Sequence, residues 1–244
     1  MKRILFTLLS LLIISFGLAA CQQDEKQPEA ESRAGAESQT GAKSHTEKSK
    51  SAQSDGFTAE DKVVTISGKV LSYEDLQFYQ LMNKVDIQLN RSVDEKNLEG
   101  ENLKEKLAYW DEQLKYHDNF HVNLSKMIEQ HAMYLLAREK GLDVESAAVA
   151  KTVEEFTAKA KQNEVASLLI SEFPSDAYKN RLNNYFTEKL LTQQIYDTLK
   201  ADVIKEKPDA PEIEIAYDTS KNYEELYQSQ IASLEIKINA AEKQ

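Results

Sequence analysis

The sequence predicts a mainly α-helical protein with a small β element formed by strands near the two ends of its folded part. The 244 residues include only 7 glycines and 4 prolines, too few for a turn-rich all-β fold. Apolar residues recur three or four positions apart through most of residues 73–205, as in amphipathic helices. Short strand-like patterns occur only near residues 63–71 and 234–238.

The charge and cysteine content exclude several classes of protein. The chain has 30 basic and 41 acidic residues, a net charge of −11, whereas non-specific nucleic-acid binding requires a basic face. We therefore expect no nucleic-acid partner. A single cysteine excludes an intramolecular disulfide and a cysteine-based zinc finger.

The first 21 residues have the layout of an export signal. Lys2 and Arg3 precede an apolar stretch over residues 4–18, which is short for a membrane span. The segment Leu18-Ala19-Ala20-Cys21 resembles the lipobox of bacterial lipoproteins. That resemblance implies cleavage of a signal peptide at residues 1–20, acylation of Cys21 and a lipid anchor on the extracytoplasmic face of the bacterial cell membrane. The alternatives are an uncleaved anchor or an ordinary secretory signal followed by an unrelated cysteine.

Residues 21–56 form a polar segment whose apolar residues beyond Cys21 are all alanines. Such a composition cannot bury enough surface to offset the entropy of ordering. We expect a disordered tether between the anchor and a folded domain over residues 57–244.

The folded part begins with a strand–turn–strand pattern over residues 63–71. Ser72 is a suitable N-cap residue, and Asp75 stands at the capping-box position. A helix with one apolar face follows, marked by Phe78, Leu81, Met82, Val85 and Leu89. The polar residues 91–101, which include Gly100, predict a loop.

Apolar and histidine residues alternate by four and three from Leu103 to Leu135. This coiled-coil-like seam predicts one very long helix or two in tandem, with Asp118-Asn119 as the expected break. Gly141, followed by Leu142, predicts the C-terminal end of the helix.

Three further helices are predicted, over residues 145–161, residues 165–172 and from Ser175 to about Val203. Pro208 and Pro211 end the last of them. A tyrosine-rich helical piece follows around residues 223–231, and the alternating pattern at 234–238 predicts a strand. We expect this strand to pair with residues 63–67, since a lone hairpin is marginally stable.

Two of these segments resemble a known family. Residues 63–72, VVTISGKVLS, are similar to the strand–turn–strand that opens SurA N-terminal and PrsA-type foldase domains. Residues 127–142 resemble the central helix of that family, which ends in a comparable glycine motif. The resemblance covers residues 60–205, with residues 206–244 as a C-terminal return. It implies a helical chaperone domain that cradles unfolded or exported polypeptides.

The family usually carries a parvulin prolyl-isomerase domain as well. About thirty residues separate Val203 from Leu234, whereas a separate domain needs roughly 50 or more. We therefore expect no isomerase domain and no isomerase activity. The sequence contains no convincing catalytic constellation, so we expect no enzyme and no cofactor. The alternative is an enzyme, either a degenerate isomerase or a metal-dependent hydrolase.

Three histidines of the seam are the sharpest metal candidates. His117 and His121 would share one face of a continuous helix, and His131 lies further along. Zinc could use such a pair with a carboxylate. The favoured interpretation is structural, with the three imidazoles as polar members of a helix seam whose protonation could loosen it.

Methionine and aromatic side chains suit adaptable contacts with unfolded chains, although their spacing also fits an ordinary core. The candidate peptide-binding residues are Phe78, Tyr79, Met82, Tyr109, Trp110, Met127, Met133 and Phe156. The expected function is a lipid-anchored chaperone-like protein that binds unfolded or secreted polypeptides. The alternative is a cell-envelope interaction protein with one dedicated partner, or with itself through residues 103–135.

Overall fold

The computed structural model of the chain describes residues 56–239. The predicted signal peptide, Cys21 and nearly all of the tether lie outside the described residues. The predicted fold class is confirmed at the level of a mainly helical chain with a small antiparallel sheet. In chain order the elements are β1 (Lys62–Ile66), β2 (Lys69–Ser72), α1 (Tyr73–Asn97), α2 (Gly100–Tyr116), α3 (Phe120–Glu139), α4 (Ser146–Gln162), α5 (Glu164–Ser171), α6 (Ser175–Glu206), α7 (Glu212–Ser233) and β3 (Ile236–Ile238).

The sheet has the order β2-β1-β3 and is antiparallel throughout. Ser67 and Gly68, both with positive φ, form the two-residue turn between β1 and β2, as expected for a tight hairpin. Ile66 stands opposite Ile236 on β3, so the predicted pairing of the two ends is confirmed. The alternation also brings Val64 onto the face that packs against the helices.

Two apolar cores hold the helices in place. The larger joins α1, α4, α5 and α6, and the smaller packs the sheet against α1 and α3. Helix α3 lies against α6 and α7, while α2 packs mainly against α1. The cores therefore leave α2 as a peripheral arm and α5 and α7 as partly exposed helices.

The predicted loop at residues 91–101 is wrong for most of its length. Helix α1 continues to Asn97, and α2 begins at Gly100. The polar side chains of this segment are compatible with a helix, because Arg91 forms ion pairs with Glu95 on α1 and with Asp111 on α2. Exposed helical turns stabilised by such pairs need few apolar residues.

The predicted break in the long seam is confirmed, since α2 ends at Tyr116 and Asn119 caps α3 by accepting a hydrogen bond from Val122 N. The predicted end of α3 is confirmed as well. Leu142 N donates to Ala137 O and Gly141 N to Arg138 O, the two bonds of a Schellman motif. Helix α7 begins eleven positions before the predicted tyrosine-rich piece, directly after Pro211.

Candidate functional site

Six of the eight candidate peptide-binding residues are buried in the helical core. Met82 and Met133 are fully buried, and the others are 4–8 % exposed. Their burial indicates that these six side chains stabilise the fold, and their spacing is that of a core face. The six are Phe78, Met82, Trp110, Met127, Met133 and Phe156.

The other two candidates, Tyr79 and Tyr109, are partly exposed but do not share a surface. Tyr79 lies on α1 with its ring centroid 6.1 Å from that of Tyr185, and burial raises the pKa of its hydroxyl well above the usual value. Tyr109 lies on the α2 arm and lines an open cavity of about 430 Å³ at the elbow between α1 and α2. The other lining residues are Leu98, Asn102, Glu105 and Lys106.

The α2 arm is fastened to α1 by Trp110, its buried side chain. The Trp110 indole N–H donates to Asp94 Oδ2 at 2.8 Å, and the Tyr109 ring meets the indole edge-on with centroids 4.8 Å apart. Together with the Arg91–Asp111 ion pair, this hydrogen bond gives the arm a defined position with little buried area.

The predicted histidine pair does not share a helix. His117 is the C-cap of α2, and His121 belongs to α3. Because the two residues are not on one continuous helix, a spacing of four does not place their side chains on the same face. Burial lowers the pKa of His117, whose Nδ1 lies 3.2 Å from Asn123 Oδ1. Within residues 56–239 no group of three potential metal-binding side chains occurs.

His131 lies in the core between α3 and α6. Its Nδ1 is 3.0 Å from Glu188 Oε1 on α6, while its Nε2 is buried without a hydrogen-bond partner. The contact holds these two helices together, which agrees with the structural interpretation of the seam histidines.

Two outward-facing apolar pairs were not singled out from the sequence. Val165 and Leu168 lie on α5 and are 49 % and 59 % exposed, whereas Ile213 and Tyr217 lie on α7 and are 80 % and 70 % exposed. Their spacings of three and four residues place each pair on one helix face. The hydrophobic pattern alone does not distinguish such a pair from a core face, so neither pair can be recognised from the sequence.

The α7 pair belongs to an acidic stretch of the chain. Residues 201–218 contain six carboxylates and two lysines, a net charge of −4. We call the exposed side chains Ile204, Ile213 and Tyr217 the tip surface, since they lie where α6 leads into α7.

No family model, curated protein or solved structure matches the chain. The likeness to SurA N-terminal and PrsA-type domains therefore rests on its two sequence segments and stays a prediction. Across residues 56–239 no helix has the length and apolar character needed to cross a membrane.

Proposed function

We propose that the protein is a lipid-anchored extracytoplasmic chaperone-like protein that binds unfolded or exported polypeptides without isomerising proline. The supporting observation is that apolar side chains stand on outward helix faces and are left out of both cores, with Ile213 and Tyr217 at least 70 % exposed. Exposed apolar side chains grouped on a surface favour contact with another chain.

The proposed mechanism is reversible binding. Apolar segments of a client cover the exposed pairs on α5 and α7, which removes both surfaces from water. The surrounding acidic surface keeps the loaded protein soluble. Acylated Cys21 and the tether would hold the domain near the membrane at high effective concentration.

Aggregation of an unfolded client tests this proposal. The chain as the cell processes it is reconstituted into phosphatidylcholine nanodiscs and mixed with a chemically unfolded client at stoichiometric ratios. We expect light scattering to fall relative to empty nanodiscs. Unchanged scattering, with helical circular dichroism intact, would reject chaperone activity.

A second candidate is a docking protein with one dedicated partner, and the cavity at the α1–α2 elbow favours it. Glu105 and Lys106 there offer charges of both signs beside the Tyr109 ring, a combination suited to specific recognition. Affinity capture in which one partner is recovered at equal stoichiometry, and in which Tyr109→Ala loses it, would favour this function over many weak clients.

A further inference from the structure

We propose that the tip surface selects cationic amphipathic segments of client polypeptides. This inference rests on the proposed chaperone function and adds to it a place on the molecule and a chemical preference.

A lysine at the C-terminal end of α6 contacts two carboxylates of α7. Lys207, just after α6, donates to Glu214 Oε1 at 2.9 Å and to Asp218 Oδ2 at 2.6 Å. These carboxylates are four residues apart and fix one face of α7 beside the end of α6. Ile213 and Tyr217 each precede one of them, which turns the apolar pair about 100° away from that contact. The pair is thus presented outward by a defined geometry.

The charged side chains of residues 201–218 are mostly acidic. Lys207 is occupied by its two ion pairs, which leaves Lys205 as the other lysine of residues 201–218. Glu206, Asp209 and Glu212 form no ion pair within the described part of the chain. An apolar pair bordered by unpaired carboxylates is complementary to a segment with apolar side chains on one face and lysine or arginine beside them.

The start of α7 does not reverse this preference. A helix N-terminus attracts anions, but Glu212 and Glu214 already occupy the first turn of α7. Their carboxylates offset the partial positive charge of the free N–H groups. An acidic client segment would therefore meet like charges at this end.

The same charges disfavour two other occupants of the tip surface. An anionic membrane would be repelled, since peripheral binding to such lipids uses basic clusters. Two copies of the chain meeting tip to tip would bring together surfaces of net charge −4 each, which opposes self-association there.

Fluorescence anisotropy with two labelled peptides provides the test. One is an amphipathic helix of about 18 residues with leucine and phenylalanine on one face and lysine on the other. The second has every lysine replaced by glutamate. The protein is the processed chain in phosphatidylcholine nanodiscs, with empty nanodiscs as the reference.

We expect the cationic peptide to bind at least about tenfold more tightly than the anionic one in about 0.05 M NaCl, with the ratio shrinking in about 0.5 M NaCl. The double variant Ile213→Ser/Tyr217→Ser should weaken cationic-peptide binding by about tenfold. The control Val93→Ser, an exposed apolar side chain on α1 outside both pairs, should change it less than about twofold. Asp209→Asn/Glu212→Gln should reduce the preference for lysine.

Three outcomes would overturn the inference. In the first, the two peptides bind equally. In the second, Ile213→Ser/Tyr217→Ser binds the cationic peptide as tightly as the unmodified protein does. In the third, the unmodified protein binds neither peptide, and sedimentation shows a dimer that this variant abolishes. If aggregation is still suppressed in these cases, only the tip assignment fails. If suppression is absent from the unmodified protein, the chaperone function itself fails.

Discussion

Arg181 on α6 holds Asp75 in the first turn of α1, with its Nε 2.8 Å from Asp75 Oδ1. The other oxygen of the same carboxylate, Oδ2, accepts the backbone N–H of Ser72 at 2.8 Å. Ser72 Oγ in turn accepts a hydrogen bond from Asp75 N, which completes a capping box. One carboxylate therefore both caps α1 and connects it to a helix 106 residues away in sequence.

Replacement of Asp75 should cost more stability than replacement of its capping partner. We expect Ser72→Ala to lower the free energy of unfolding by about 1 kcal/mol. Asp75→Ala should lower it by about 2–3 kcal/mol, because Arg181 also loses a partner. Urea unfolding followed by circular dichroism measures both, and equal losses would show that the Arg181 contact adds nothing to the cap.

The ion pair between Lys189 on α6 and Asp86 on α1, 2.7 Å apart, should also be stabilising. Burial lowers the pKa of Lys189, but the Asp86 carboxylate outweighs this effect, and the net pKa lies above its ordinary value. The ammonium ion therefore contributes stability that is fully present at neutral pH and is lost only when the pH rises through the raised pKa.

We expect Asp86→Asn to lower the free energy of unfolding by about 1–2 kcal/mol at neutral pH. Lys151→Met is the control, because its ion pair with Glu155 is long, at 3.8 Å, and exposed; its loss should cost less than about 0.5 kcal/mol. Chemical denaturation of both variants measures the two free energies of unfolding. Similar decreases in the two variants would contradict a stabilising role for the Lys189–Asp86 ion pair.

Acidification should destabilise the junction between α2 and α3. Burial lowers the pKa of His117 below its ordinary 6.5, so the unfolded chain binds a proton more readily than the folded one. The partly buried, neutral imidazole therefore contributes stability that is fully present above about pH 6.5 and is lost as the pH falls below that value.

The measurement is the melting temperature at about pH 7.5 and pH 5.5. The fall on acidification should be smaller in His117→Gln than in the unmodified protein. Identical falls in the two proteins would remove His117 from the acid response.

Substitution of Met133 tests whether the buried candidate peptide-binding residues serve as core side chains. Its side chain is fully buried, so Met133→Ala should lower the free energy of unfolding by about 2–5 kcal/mol through a cavity and lost burial. Val93→Ala on the exposed side of α1 should change it by less than about 0.5 kcal/mol. A small effect at Met133 would indicate that this side chain is free to meet a client.

Much of the fold could be predicted because local signals are strong at helix ends. Ser72 and Asp75 marked the start of α1, and Gly141 marked the end of α3, since caps and left-handed residues depend on chemistry within a few positions. The pairing of β1 with β3 followed from the need of a short hairpin for a third strand.

Other features depend on contacts that the pattern does not contain. Residues 91–97 are helical because Arg91 and Asp94 find partners on α2, which polarity alone conceals. The heptad pattern continues through His117 although α2 ends at Tyr116, so the pattern alone does not show that the helix is continuous. Ile213 was indistinguishable from a core residue, because periodicity reports one helix face without showing what covers it.

The sheet also imposes an order of events on the protein as it is made. Within residues 56–239 its central strand β1 is the first element, and β3, the last one, occupies one of its two edges. A chain that leaves the ribosome or a secretion channel with its N-terminus first can close the β1–β2 hairpin at once. The opposite edge of β1 stays unpaired until residues 236–238 arrive. Completion of the sheet thus requires that all seven helices between β2 and β3 have emerged.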